Sequence, residues 1–145
     1  MALHPFVLPT HRIRMNTRID AILKTHRVFA VVGLSDNPFR TSHRIAMDLL
    51  EAGYTVIPVN PSIALWHGRV CYPDLRAIPV PVDVVNIFRR SEYVAPIVDD
   101  AIAIGAKAIW MQVGVIDPAS AQRALAAGLD VVMDRCVSVE LAMLE

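Results

Sequence analysis

The sequence predicts an α/β fold, and three observations support that class. Short apolar segments rich in β-branched residues alternate with longer segments of helical periodicity from residue 28 to the C-terminus. The short segments lack alternating polar residues, which is typical of strands that are buried on both faces. Regular strand–helix–strand alternation requires right-handed crossovers between parallel strands. We therefore expect a Rossmann-like, doubly wound parallel sheet of five strands with helices on both faces.

Five short apolar segments are the predicted strands, and Pro, Gly, Asn and Asp residues separate them from the rest of the chain. In chain order they are Val28–Val32, Thr55–Val59, Asp83–Phe88, Ala108–Met111 and Asp130–Met133. The stretch Ser62–Pro81 is longer and irregular in pattern. In it we expect a short strand near Val70 and one helical turn after Pro73.

Segments with apolar residues three or four positions apart are the predicted helices. They are Arg12–Lys24, a helix that Thr41 or Ser42 caps and Gly53 ends, Glu92–Ile104, a helix with Pro118 in its first turn, and a short helix from Ser138. The side chains expected to support these helices or face the sheet are Ile19, Ile22, Leu23, Ile45, Ala46, Leu49, Leu50, Ala52, Val94, Ile97, Val98, Ala101, Ala121, Ala124, Leu125 and Gly128.

Length and composition limit the class of protein. A chain of 145 residues suits one domain, expected at residues 16–145 after a tail at residues 1–15. No apolar run approaches the roughly 20 residues of a membrane span, and Met1–Met15 lacks the apolar core of a secretory signal. The formal net charge of +0 favours neither nucleic acid nor an anionic membrane as a partner. We expect a cytoplasmic location.

The cysteines and histidines do not have the spacing of metal ligands. Cys71 and Cys136 form no CxxC pair, which disfavours a zinc site and a disulfide framework. Cys136 follows Arg135, so it is either a reactive thiolate or an inert packed cysteine. The histidines expected on the surface or in loops are His4, His11, His26, His43 and His67. The sequence predicts no metal site.

The loop after the first strand carries the strongest signal for a ligand. In doubly wound sheets, ligands bind beyond the carboxyl ends of the strands, where the strand order reverses. Gly33 permits a tight exit from the strand and the close approach of a ligand. Ser35, Thr41 and Ser42 offer hydroxyls, and Arg40 offers a bidentate cation. The following helix adds N–H groups and the positive end of its dipole. In combination these donors suit a diphosphate, although a turn glycine beside a solvated arginine would explain each residue alone.

The motifs that this loop lacks narrow the choice of nucleotide. Ser35 and Pro38 stand where later glycines of G-x-G-x-x-G would be, and Asn60 replaces the acidic residue of the NAD pattern. Both departures disfavour an ordinary dehydrogenase. The sequence contains no Walker motif, which disfavours ATP hydrolysis, and Gly33-Leu34-Ser35-Asp36-Asn37 lacks the second glycine of a hydrolase nucleophile elbow.

Six segments carry a family resemblance: Val31–Pro38, Arg40–Ser42, Val56–Pro61, Val82–Val85, Phe88–Arg90 and Met133–Cys136. Together they resemble the CoA-binding-domain family of small bacterial proteins, which is related to the N-terminal CoA-binding domain of the succinyl-CoA synthetase α subunit. The resemblance covers roughly residues 17–140 and implies coenzyme A, or an acyl-CoA, as the ligand. Carried over by position, the implied ligand-binding residues are Gly33, Ser35, Arg40, Thr41, Asn60, Pro61, Phe88, Arg89, Gln112, Gly114 and Arg135. The Lys and His that often follow this D-R-C motif in the family are Ser138 and Leu141 here.

The resulting hypothesis is a CoA-binding protein that is not catalytic on its own, because no nucleophile–base pair can be placed. Two alternatives stay open: an NAD(P)-dependent oxidoreductase, and an accessory subunit that supplies the CoA fold to a separate acyl-CoA ligase. The expected partner is a small-molecule CoA ligand, with a homodimer or a ligase partner left open. Trp66 is expected either to cover the adenine or pantetheine or to anchor its loop, and Trp110 is expected in the core.

Overall fold

A five-stranded parallel sheet forms the centre of the protein in the computed structural model, which describes residues 15–144. The strands are β1 Val28–Val32, β2 Thr55–Val59, β3 Leu65–Trp66, β4 Arg69–Val70, β5 Val84–Ile87, β6 Ala108–Met111 and β7 Asp130–Val132. The sheet order is β2-β1-β5-β6-β7, and every neighbouring pair is parallel. Strand order therefore reverses between β1 and β5, as the doubly wound prediction requires. The antiparallel pair β3–β4 forms a separate small hairpin.

Helices cover both faces of this sheet. They are α1 Ile19–Thr25, α2 Thr41–Glu51, α3 Val94–Ala103, α4 Pro118–Ala126 and α5 Val137–Ala142, with 3₁₀ turns at Leu75–Ala77 and Ser91–Tyr93. Helices α1, α2 and α5 pack on one face, and α3 and α4 pack on the other. No helix within residues 15–144 is both long and apolar enough to cross a bilayer.

Alternate side chains of each strand enter two different cores, which explains the unbroken apolar segments. Phe29 and Val31 of β1 join the core under α1, α2 and α5, whereas Ala30 and Val32 join the core under α3 and α4. Trp110 of β6 is fully buried, as predicted, and its indole N–H donates to the Arg135 carbonyl at 2.9 Å. Burial on both faces confirms the prediction from the strand composition.

The N-terminal helix is shorter than predicted. Residues 12–14 and most of the predicted tail lie outside the described residues, and residues 15–18 form a turn rather than a helix. Asn16 has a positive φ of 60°, which a helix cannot include. Its side chain instead accepts from Met133 N at 2.7 Å and donates to Met133 O at 3.1 Å, while its backbone N–H donates to Val131 O at 3.0 Å.

Two residues predicted to face the sheet do not. Ala52 is exposed because α2 ends at Glu51, and Gly128 is exposed because α4 ends at Ala126. In the irregular stretch, the predicted strand near Val70 and the helical turn after Pro73 are both confirmed, as β4 and the turn Leu75–Ala77. Tyr72 then runs beside the outer strand β2, donating from its N–H to Pro58 O at 3.0 Å.

Asp83 ties the starts of β1 and β5 together. Its carboxylate accepts hydrogen bonds of 3.0 Å from Arg27 N and Val28 N. Burial alone would raise the pKa of this carboxyl, but those hydrogen bonds, with the charges of His26 and Lys107, outweigh it and lower the pKa.

We expect Asp83→Ala to lower the free energy of unfolding by about 2 kcal/mol near neutral pH, because two backbone donors lose a charged acceptor. The folded-state pKa lies below the ordinary value of 3.8. The stabilisation is therefore fully present above pH 3.8 and is lost as pH falls from there through the lower folded-state pKa. Urea unfolding at several pH values measures the effect. Asp20→Ala, at an exposed aspartate of α1, is the control. A stability difference that does not shrink at acidic pH would contradict this role.

Candidate functional site

The carboxyl ends of β1, β2 and β5 open onto a cleft of about 880 Å³, here called the main cleft. Its lining residues are Gly33, Ser35, Asp36, Phe39, Arg40, Thr41, Ser42, Asn60, Ser62, Ile63, Phe88, Arg89 and Arg90. The predicted ligand-binding residues that it brings together are Gly33, Ser35, Arg40, Thr41, Asn60, Phe88 and Arg89. The cleft lies where strand order reverses, as the rule for doubly wound sheets predicts.

Gly33 fixes the way in which the chain leaves β1. Its φ is +84°, and its N–H donates to Val59 O at 2.9 Å. A Cβ at this position would lie 2.7 Å from Phe88 O, closer than real Cβ contacts come. The sequence predicted the close approach of a ligand at this glycine, whereas the structure shows a close approach of the backbone that leaves β5. Only glycine satisfies both this approach and the positive φ.

A chain of hydrogen bonds fixes the loop at residues 35–40. Ser35 N donates to the Ser42 hydroxyl, Asn37 N to the Ser35 hydroxyl and Phe39 N to Asn37 Oδ1, each at 3.0 Å. The Ser42 hydroxyl therefore orders the loop, and the predicted cap by Thr41 or Ser42 is wrong. Arg40 is the N-cap residue of α2, and no side chain caps the helix. The first turn also contains no acidic residue, so it offers its N–H groups to an anion.

Positive charge dominates the lining of the main cleft. The lining includes three arginines, Arg40, Arg89 and Arg90, and one aspartate, Asp36. The Arg89 guanidinium lies 5.4 Å from the centroid of the Tyr93 ring, towards the neighbouring groove. The Arg90–Glu92 pair is 4.0 Å apart and exposed, so it neutralises little of this charge. Guanidinium groups bind phosphate oxygens through paired hydrogen bonds, so the cleft is suited to a phosphorylated ligand.

Asn60 connects the loops that follow β1 and β2. Its Nδ2 donates to Leu34 O at 3.0 Å, and its Oδ1 accepts from Ser62 N at 2.9 Å. Both ends of the amide are thus used within the protein. The asparagine after β2 positions the walls of the cleft by joining the exits of β1 and β2.

Two smaller clefts adjoin the main one. The side cleft, about 420 Å³, shares Thr41 and residues 88–90 with the main cleft and continues to Gln112, Gly114 and Cys136. The apolar groove, about 250 Å³, lies on the other side of Gly33 and includes Pro61, Leu75 and Ile97. The predicted residues Pro61, Gln112 and Gly114 therefore lie beside the main cleft rather than within it.

The polar groups of Gln112 and Arg135 are bonded to residues outside the main cleft. Gln112 is buried, donates from Nε2 to Asn86 Oδ1 at 2.6 Å and accepts from Val137 N at 3.3 Å. Arg135 lines none of these three clefts. Its guanidinium donates to Asp134 O at 2.9 Å and lies 4.0 Å from Glu140.

Sequence reasoning missed an aromatic cluster that anchors the β3–β4 hairpin beside the cleft. His43, predicted on the surface or in a loop, is buried in α2, and its Nε2 lies 2.9 Å from Nε2 of His67. Trp66 is 2% exposed and donates to Ser35 O at 3.2 Å, so of its two predicted roles it is a loop anchor. The sequence carried a signal for the burial of His43, because this residue precedes the buried Ala46 by three positions and so lies on the same face of α2.

The two thiols differ in environment. Cys136 is half-buried and lines the side cleft, whereas Cys71 is buried and donates to Asn60 O at 3.6 Å. Burial raises the pKa of the Cys71 thiol, which keeps it protonated. Both cysteines are free, and no group of three or more His, Cys, Asp or Glu residues within residues 15–144 could hold a metal ion.

Comparison with known proteins places the chain in a family. The family described as "CoA binding domain" matches residues 27–142, and the chain belongs to this family. Among curated proteins, it is 38% identical over 125 residues to the uncharacterized protein YneT of Bacillus subtilis, covering 86% of this chain and 93% of that protein.

Solved structures agree on the fold. A hypothetical protein from Pyrococcus horikoshii OT3 matches with a TM-score of 0.84 at 33% identity, over 99% of this chain and 98% of that chain. A dinucleotide forming acetyl-coenzyme A synthetase 1 from Ca. Korarchaeum cryptofilum matches with a TM-score of 0.64 at 25% identity. That match covers 85% of this chain and 27% of the synthetase, so the likeness concerns about a quarter of the larger protein.

Gly33→Ala and Gly53→Ala form a matched pair that tests the close approach at Gly33. Both glycines have positive φ, but a Cβ at Gly53 meets nothing within 4 Å. We expect Gly53→Ala to cost about 1–2 kcal/mol of stability from backbone strain alone. Gly33→Ala should cost roughly 1–3 kcal/mol more, because the Phe88 carbonyl has to move. Denaturant unfolding measures both, and equal losses would contradict the role given to Phe88.

The His43–His67 contact predicts a pH dependence of stability. Burial first, and the charge of His67 second, lower the pKa of His43 from its ordinary 6.5, against an opposing effect of Asp36. The unfolded state then binds more protons as pH falls through 6.5. We expect the free energy of unfolding to hold its full value above that pH and to decrease below it.

In His43→Gln this decrease should become smaller, and urea unfolding on both sides of pH 6.5 measures it. Met143→Gln, at an exposed side chain with no titratable group, should keep the wild-type dependence. The same pH dependence in wild type and His43→Gln would assign the effect to other groups.

Proposed function

We propose that this protein binds CoA or an acyl-CoA, with the diphosphate at the loop of residues 35–40 and the N-terminus of α2. The observation that carries the proposal is the uncapped first turn of α2 beside three arginines, at the point where strand order reverses. CoA carries a diphosphate and a separate 3′-phosphate. A site with several guanidinium groups and free N–H groups suits that number of anionic groups.

The shape of the adjoining clefts also supports a long ligand with phosphates in its middle. The side cleft leaves the main cleft past Thr41 and Phe88 and is lined by Ile45, Val113 and Val115. These apolar side chains suit the pantetheine arm, which combines methyl groups with amides. In this proposal Gln112 and Gly114 border that arm, and Arg135 has no direct contact with the ligand.

The arrangement of hydroxyls supports a binding role rather than catalysis by this chain alone. The Ser35 and Ser42 hydroxyls accept hydrogen bonds from backbone N–H groups within the loop, and His43 pairs with His67. Neither serine is therefore coupled to a histidine base, as an activated nucleophile requires. The free thiols of Cys71 and Cys136 are consistent with a cytoplasmic location, which is part of this proposal.

The likeness to the acetyl-coenzyme A synthetase favours a second candidate function. This chain corresponds to about a quarter of that protein. It would then supply the CoA-binding part of an acyl-CoA ligase whose other parts are made separately. Co-purification with a nucleotide-dependent ligase, and CoA-dependent ligase activity of the mixture, would support this candidate.

Calorimetric titration with CoA tests the binding proposal. We expect Arg40→Ala to weaken CoA affinity at least about 10-fold, because a charge-assisted contact to phosphate is lost. Arg44→Ala is the matched control, since this exposed arginine lies one turn along α2 and outside the lining of the cleft. Thermal unfolding with CoA, dephospho-CoA, acetyl-CoA, NAD, NADP and ATP provides a second readout. Stabilisation by NADP with none by CoA would refute the ligand and favour the oxidoreductase alternative.

A further inference from the structure

Phe39 is the most exposed large apolar side chain within residues 15–144, at 90%. It lies on the rim of the main cleft, between Pro38 and Arg40. Phenylalanine is among the residue types most often fully buried, and a ring left in water forgoes the free energy of burial.

The exposure does not come from a loose loop. Phe39 N donates to Asn37 Oδ1 and Arg40 N donates to Asn37 O, both at 3.0 Å. The ring of Pro38 restricts the φ angle of the residue before Phe39. The backbone on both sides of the ring is therefore held in place. The loop therefore presents the aromatic ring at the mouth of the cleft on an ordered backbone.

The surroundings of Phe39 indicate what the ring could contact. Arg40, Arg89 and Arg90 line the same cleft, and Ile63 adds a second apolar side chain from the loop after β2. Cationic groups with an exposed aromatic ring form the combination that binds nucleotides, because the phosphates pair with the cations and the base stacks on the ring. A protein partner would need a wider apolar patch, whereas Asp36, Asn37 and Arg40 of the same loop are polar and only Pro38 is apolar.

We propose that Phe39 stacks on the purine base of the nucleotide whose phosphates occupy the main cleft, and so adds affinity for ligands that carry a base. This inference rests on the proposed function for the presence of a nucleotide, and it adds the base contact. The cleft volume of about 880 Å³ is large enough for a complete nucleotide.

The test compares ligands with and without the base. Wild type, Phe39→Ala, Phe39→Tyr and the control Met143→Ala are titrated with CoA, adenosine 3′,5′-bisphosphate, NADP and 4′-phosphopantetheine. Met143 is also highly exposed, at 70%, but it lies outside the main cleft. Phe39→Ala should weaken binding of the ligands with a purine by about 5- to 100-fold and leave phosphopantetheine binding unchanged. Phe39→Tyr and Met143→Ala should bind like wild type.

Phe39→Trp gives a direct readout of stacking, because a purine stacked on the new indole quenches its fluorescence. The signal is read against wild type, whose Trp66 and Trp110 are both buried. Quenching by CoA but not by phosphopantetheine is the expected result.

The outcomes separate the two proposals. Unchanged purine affinity in Phe39→Ala, or equal loss for ligands with and without the base, overturns the stacking inference while CoA binding stands. Purine-dependent loss seen with NADP, in a protein that does not bind CoA, supports stacking and refutes the proposed ligand. A wild-type protein that binds none of these ligands overturns both.

Discussion

The contact between Gly33 and the Phe88 carbonyl is the constraint on which the site depends. It brings the exits of β1 and β5 together where strand order reverses, at a distance that leaves no room for a Cβ. The loop to α2 then passes over the end of β1, and residues 88–90 pass over the end of β5. Asn60 joins the exit of β2 to the same place. The cations of the cleft come from two loops that strand pairing and the Phe88 N–H to Val32 O hydrogen bond of 2.9 Å hold side by side, at a separation that Gly33 permits.

The sequence predicted most of the sheet because its strands carry their own signal. Strands β1, β2 and β6 begin and end at the predicted residues, since each is an unbroken apolar segment buried on both faces. Helix boundaries depended on tertiary contacts instead. Asn16 was taken into the first helix although its side chain pairs with the outer strand β7, and the Ser42 hydroxyl orders a loop instead of capping a helix. Side-chain hydrogen bonds between distant segments leave no periodicity to read.

The candidate site was also predictable only in part. Residues placed directly after strands could be expected at one edge of the sheet, and Gly33 and Arg89 are found there. The direction in which a side chain points after a sharp turn could not be predicted from the sequence. Asp134 has a positive φ of 61° and turns its carboxylate to Gly114 N at 2.8 Å, while Arg135 points to Glu140. The hairpin contact through His43 was missed for a related reason, because its partner His67 is 24 residues away.

The Asn16 amide has a consequence for how copies of this protein can meet. Outer strands of open sheets invite other chains to add a strand through their unpaired backbone groups. Asn16 already occupies such groups of Val131 and Met133 along β7, and on the opposite border Tyr72 occupies those of β2, where Pro58 offers no donor. Growth of the sheet from one molecule into the next would have to displace one of these segments. Association of two copies by continuous strand pairing is thereby disfavoured at both borders of the sheet.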